Sequence, residues 1–155
     1  VFKATGINPA ELQEEEGDCS SRGGRIYART GGVSKCIKDT VERISPERSI
    51  ELKSAHGNGV RVCKELLDKA LAGKLDANFL EGMGCVGGCV GGPRAILDKE
   101  LGRQYVDSYG DEAEYKTPVD SPCILKVLRS IGINSLKELE EDSEKTEIFI
   151  RDLSK

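Results

Sequence analysis

The residues best suited to chemistry are Cys85 and Cys89, set four apart in the glycine-rich run from Phe79 to Pro93. Two thiolates from one turn of chain can ligate a soft metal or an iron–sulfur body. The glycines around them, Gly82, Gly84, Gly87, Gly88, Gly91 and Gly92, remove the side chains that would keep backbone away from a bulky group. A zinc knuckle prefers a shorter Cys–Cys spacing and four ligands. A thioredoxin-type pair prefers two intervening residues at a helix start. An iron–sulfur cluster fits better, because backbone N–H groups can approach its concentrated negative charge. A cubane takes four protein ligands, so this loop supplies half of a set.

The elements that must position the loop are read from periodicity. The chain has 155 residues and a net charge of −4, with six cysteines, one methionine and one histidine. That length supports one domain or slightly more, and the charge gives no electrostatic footprint for nucleic acid or anionic lipid. No apolar run reaches the roughly 20 residues of a membrane helix. Val1 starts in mid-pattern and no export signal is evident, so a fragment of a longer chain, located in the cytoplasm with reduced thiols, is expected. Cys36, Cys63 and Cys123 fall on apolar helix faces and read as small buried hydrophobes; Cys19 lies in a polar loop.

Asn8-Pro9 opens a short helix, and Glu14-Glu15-Glu16 reads as a solvated face. Arg25–Arg29 reads as a short strand running through Thr30-Gly31-Gly32 into a helix with Val33, Cys36, Ile37, Val41 and Ile44 on one face. Ser49–Lys53 alternates as a half-buried strand and leads through His56-Gly57-Asn58-Gly59 into a second helix, stopped at Gly73. Asn78–Gly82 is the next strand. Strand, helix and strand make a parallel βαβ unit, and three glycine turns then converge on the carboxyl edge where such sheets bind ligands. A third helix is expected over 94–109 with Ile96, Leu97, Leu101, Tyr105 and Val106 as its stripe, and a fourth after Pro122. A capping box at Ser135–Glu138 starts a fifth, and Glu147–Ile150 reads as a closing strand or docked tail. His56 reads as a structural residue at a turn, while Arg29 and Lys35 are either solvated or near the anionic group.

The run Glu81–Pro93 resembles the third cluster-binding motif of the iron-only (FeFe) hydrogenases, ExMACxxGCxxGGGQP. Gly24–Val33, ending in Thr30-Gly31-Gly32-Val33, is similar to that family's TGGV segment, and Ala55-His56-Gly57 to its VHG segment; order and spacing agree over about residues 24–93. The resemblance implies an α/β fold, with a parallel or mixed sheet flanked by helices as one lobe of the catalytic domain and a mostly helical C-terminal tail. It divides the chain into a connecting segment 1–24, a lobe 25–110 carrying the loop 79–93, and a helical extension 111–155.

The implied reaction is reversible reduction of two protons to H₂ at an H-cluster, a 4Fe–4S cubane joined through cysteine to a diiron unit. By resemblance Cys85 ligates the cubane, Cys89 ligates it and bridges to the diiron unit, and Met83 packs against that unit. Tyr27, Ala28, Gly31 and Gly32 line the diiron pocket, with Gly84, Gly87 and Gly88 in the cofactor-binding loop. The implied partners are the remainder of the hydrogenase chain and a ferredoxin-like or other redox carrier, with no nucleic acid and no membrane span. The chain departs from the pattern at Tyr27-Ala28, at Ser34-Lys35-Cys36, at Gly84 and at Gly91-Gly92-Pro93, which lacks one glycine and the glutamine. These departures surround the diiron pocket and leave the cubane ligands intact. A non-catalytic iron–sulfur sensor or assembly relative is the alternative.

Overall fold

The computed structural model describes residues 1–13, 17–47, 51–141 and 143–149. It is an α/β structure whose sheet has two parallel strands, β1 (Ser54–Asn58) and β2 (Phe79–Met83), in register from Ser54 opposite Phe79 to Asn58 opposite Met83. In chain order the helices are α1 (Phe2–Thr5), α2 (Arg22–Arg25), α3 (Gly32–Ile44), α4 (Val60–Leu71), α5 (Lys99–Asp111), α6 (Pro122–Ser130), α7 (Leu136–Glu141) and α8 (Ser143–Thr146). Single 3₁₀ turns form at Pro9–Glu11, Ile26–Ala28, Cys89–Gly91, Pro118–Asp120 and Glu147–Phe149.

The βαβ reading holds, with α4 as the crossover between parallel strands. Its first strand lies further along than expected. Glu51–Lys53 are irregular, residues 48–50 fall outside the described residues, and the strand uses Ser54–Asn58 instead. Close packing explains the shift: a Cβ at Gly57 would stand 2.6 Å from Cys63 Sγ and 2.9 Å from Cys63 Cα, so only glycine lets β1 lie this near α4. Gly73, at φ +64°, follows α4, as expected of a helix stop.

The strand expected at Arg25–Arg29 does not form. Ser21 caps α2 by accepting from Gly24 N at 3.1 Å, and the helix runs directly into the Ile26–Ala28 turn. The fully buried Ile26 needs a compact backbone here to reach the interior, where α5 meets it at Gly110. The third helix begins at Lys99 rather than 94, because the Asp98 carboxylate accepts from Glu100 N and Leu101 N and so fixes the start. Ile96, placed on its stripe by periodicity, is 98% exposed. Gly102 and Gly110 are the buried positions of α5, while Leu101, Tyr105 and Tyr109 face outward.

At the C-terminal end, Glu138 N donates to Ser135 Oγ as a capping box requires, but the Glu138 carboxylate takes Asn134 N and pairs with Lys145. Glu147–Phe149 form a 3₁₀ turn rather than a strand, and Ile150 and Glu14–Glu16 lie outside the described residues. No helix is long and apolar enough to cross a membrane among the described residues.

The core is small. Among the described residues the buried hydrophobic ones are Ile26, Cys36 and Ile133, while Val60, Leu67 and Leu71 of α4 are exposed, Leu71 by 88%. The chain presents 11669 Å² of accessible surface, whereas a compact monomeric protein of 16.8 kDa presents about 7,700 Å².

Candidate functional site

β2 delivers the chain into the cysteine loop at Met83, whose carbonyl accepts from Gly59 N at 2.8 Å just past the end of β1. From there the backbone closes successive tight turns: Gly88 N to Cys85 O (3.0 Å), Gly91 N to Gly88 O (3.1 Å) and Gly92 N to Cys89 O (3.0 Å). Cys85 is half-buried and Cys89 exposed.

Three turns meet at this edge, and two side chains bind them together. Glu81, on β2 and 4% exposed, accepts from Gly31 N (2.7 Å), Ser34 N (2.8 Å) and Ser34 Oγ (2.6 Å). The carboxylate therefore supplies the N-terminal cap of α3, which has no side-chain cap of its own at Gly31. Asn58 Oδ1, at the end of β1, accepts from Gly87 N (2.7 Å) and Thr30 Oγ1 (3.1 Å). Thr30 N also donates to Gly87 O at 3.2 Å, and Arg29 and Gly88 form an isolated antiparallel bridge. At Gly88, φ is +84° and a Cβ would lie 2.8 Å from Thr30 N and 2.9 Å from Ala28 O, so no other residue fits the crossing without a backbone shift.

The structure thus brings Ala28, Gly31, Gly87 and Gly88 into one assembly with the loop that carries Cys85 and Cys89. Gly32 starts α3 against the Ile26 carbonyl, where a Cβ would stand only 1.8 Å away. Met83 is half-buried at the end of β2. A Cβ at Gly84 would meet nothing within 4 Å, so that side of the loop is open. Tyr27 is 45% exposed and lies on the wall of a separate cavity of about 690 Å³ beside Cys19 and Cys123. Burial, followed by the nearby Cys36 thiol, raises the Tyr27 phenol above its ordinary pKa, and burial likewise raises Cys36.

Residues on which the sequence was silent or divided take definite places. Arg29, its side chain 12% exposed, pairs with Asp107 of α5 at 2.6 Å. Lys35 pairs with Asp39 one helical turn on. Both line a cavity of about 540 Å³ that also holds His56, which stands opposite Glu81 in the sheet register. Glu81 and Asn58 were not singled out from the sequence as site residues. The available signals were a carboxylate in an otherwise apolar and glycine-rich strand, and an asparagine framed by Gly57 and Gly59.

Two expectations about cysteine are corrected. Cys19 and Cys123 are joined as a disulfide with Cα atoms 6.1 Å apart, so they are not reduced thiols, and Cys123 is exposed rather than buried. Cys123 takes the helical face read for it, but α6 turns that position outward. Cys36 is buried as expected. Cys63 is half-buried, its thiol facing Gly57 O at 3.4 Å and Met83 O at 3.6 Å.

The donor set fits two ligands of an iron–sulfur cluster. Cys85 and Cys89 are soft donors on a glycine-rich backbone, and a Cβ at Gly92 would lie 3.9 Å from Cys85 Sγ, so glycine keeps that flank clear. Among the described residues, no group of three or more His, Cys, Asp or Glu side chains is disposed to hold a metal ion. Residues 1–93 match the family described as the C-terminal domain of the iron-only hydrogenase large subunit. No curated protein matches the chain.

Proposed function

Because the chain belongs, over residues 1–93, to the family formed by the C-terminal domain of the iron-only hydrogenase large subunit, we propose that Cys85 and Cys89 are two cysteine ligands of an H-cluster completed by other polypeptide. The observation that carries this reading is the double tie of Glu81 and Asn58, which holds the cysteine loop against the Thr30–Gly32 turn in one fixed wall. When bound, the group supplies the hydrogen chemistry; the protein orients and encloses it. Cys85 and Cys89 would be this chain's ligands to the cubane, Cys89 serving the diiron unit as well. Met83, Ala28, Gly31, Gly32, Gly84, Gly87 and Gly88 would form the surrounding wall, whereas Tyr27, on the separate cavity beside Cys19 and Cys123, lies outside it. None of these groups is assigned a proton transfer.

Two thiolates cannot fill four cubane positions, so the chain alone is inactive on this reading. The large accessible surface and the outward apolar residues of α4 and α5 support completion by further protein. That protein carries the remaining ligands and receives electrons from a ferredoxin-like or other redox carrier in the cytoplasm.

The alternative, a non-catalytic iron–sulfur sensor or assembly relative, draws support from Lys35. Its ammonium and the Arg29 guanidinium share the cavity beside Gly31, where the family pattern has a carboxylate after TGGV. The test is reconstitution of the chain with its complementary polypeptide, iron, sulfide and the diiron unit. H₂ evolution with a strong reductant, together with infrared bands of metal-bound CO and CN⁻, supports the enzyme. Cubane absorption without those bands supports the alternative. Absence of iron from a complex that forms, or iron content unchanged by Cys85→Ser and Cys89→Ser, overturns both.

A further inference from the structure

We propose that the Cys19–Cys123 disulfide is a thiol–disulfide exchange site that latches α6 onto the segment preceding α2. The two cysteines are 104 residues apart in sequence, Cys123 exposed and Cys19 half-buried. Both border the cavity of about 690 Å³ that also reaches Tyr27 and Ile124. A reductant therefore has a way in. Cys123 is solvent-exposed, whereas structural disulfides that resist exchange are sheltered.

The polarity of the exchange follows from position. Cys123 is the second residue of α6, behind Pro122, where the helix N-terminus stabilises negative charge. It is the better leaving group. A thiolate of an external dithiol attacks Cys19 Sγ, the Cys19–Cys123 bond breaks, and Cys123 departs as a thiolate that takes a proton. The second thiol of the reductant then displaces Cys19 from the mixed disulfide. Two electrons and two protons end on the cysteine pair, and the reductant leaves as its own disulfide.

The consequence is local. Upstream of α6 the chain has other anchors: Arg22 N to Tyr115 O (2.7 Å), Gly23 N to Lys116 O (3.1 Å) and the Arg43–Asp120 pair (3.0 Å). Ser121 Oγ also donates to Cys19 O at 2.7 Å. Within α6, Ile124 and Val127 are exposed, so packing gives that helix little hold. Breaking the disulfide frees α6 and leaves α5 and the cysteine loop in place. This inference is independent of the iron–sulfur reading.

The test uses the full chain equilibrated with glutathione disulfide, then exposed to graded dithiothreitol, alkylated and mapped by mass spectrometry. Hydrogen exchange and far-ultraviolet circular dichroism are recorded in parallel. The expected result is reduction of Cys19 and Cys123 without denaturant and with an unchanged dichroism spectrum. Amide exchange should rise about tenfold or more over 17–21 and 122–130, and stay unchanged over 54–92. Cys123→Ser should show the fast exchange at every dithiothreitol concentration. The proposal is overturned if the pair stays open to alkylation after glutathione disulfide, or if it is reduced only on unfolding. Reduction that leaves exchange over 122–130 unaltered also overturns it.

Discussion

The Glu81 carboxylate stands 2.8 Å from the Ser34 amide, 47 residues away in sequence, and caps a helix on which it does not reside. It also takes Gly31 N and Ser34 Oγ, so one buried side chain satisfies three donors of the α3 N-terminus. Replacing Glu81 with Ala removes all three partners and leaves buried N–H groups unpaired. The expected loss in stability is about 2–4 kcal/mol, read as a lower urea midpoint at constant slope. Glu81→Gln retains acceptance at one oxygen and should fall between Ala and wild type. A midpoint for the Ala variant indistinguishable from wild type would show that the cap contributes nothing.

Asn58 joins the cysteine loop to Thr30 through hydrogen bonds that its carbonyl oxygen alone accepts. Asn58→Ala should cost about 1–2 kcal/mol and accelerate amide exchange at Gly87. Asn58→Asp keeps both acceptor positions and should preserve the slow exchange. Equal exchange at Gly87 in all three proteins would contradict the role given to this side chain.

Gly88 combines a left-handed φ with close backbone on the far side. Gly88→Ala should destabilise the chain by about 2 kcal/mol or more, since the backbone strain adds to a contact that cannot relax at a side-chain tip. Gly84→Ala, with open space around its Cβ, should fold with stability within about 0.5 kcal/mol of wild type. Chemical denaturation of the two variants side by side measures the contrast.

Asp18 sits beneath a set of donors: the Ser20 hydroxyl, the Tyr109 phenol at 2.5 Å, the Ser20 amide and the Arg25 guanidinium at 3.0 Å. These, with the Ser20 hydroxyl foremost, hold its carboxyl well below the usual range. The folded pKa is therefore lower than the unfolded one, and the ionised form favours the fold. That contribution is fully present above the unfolded value of about 4 and disappears as pH falls through the folded value. Asp18→Asn should be less stable than wild type at neutral pH and approach it in strong acid. Parallel stability curves at every pH would refute the linkage.

The elements with strong period were readable in the sequence, and those set by contact were not. α4 and α6 carry apolar residues at helical spacing, and Phe79–Met83 leads into a cysteine loop whose composition already announces it. Arg25–Arg29 reads as a short extended segment, but Ser21 starts a helix and Ile26 is drawn inward, and tertiary packing overrides the local reading. Ile96 and Leu97 continue a helical stripe on paper, but the Asp98 cap starts the helix beyond them. In the site, the cysteines and glycines were visible because their types are unusual together. Glu81 and Asn58 were hidden because their partners lie 28 to 50 residues away, and no local spacing encodes that. The disulfide was hidden for the same reason, with 104 residues between its halves.

Besides its ion pairs with Arg22 and Arg29, α5 approaches the rest of the chain most closely where two side chains are missing. A Cβ at Gly102 would lie 3.2 Å from Val90, in the cysteine loop, and one at Gly110 would lie 2.6 Å from Ile26. The helix is thus a mould for a loop that precedes it. During synthesis Cys85 and Cys89 leave the ribosome before the surface that shapes them exists. The loop gains this packing only once the chain is complete to about Asp111 and α5 has docked.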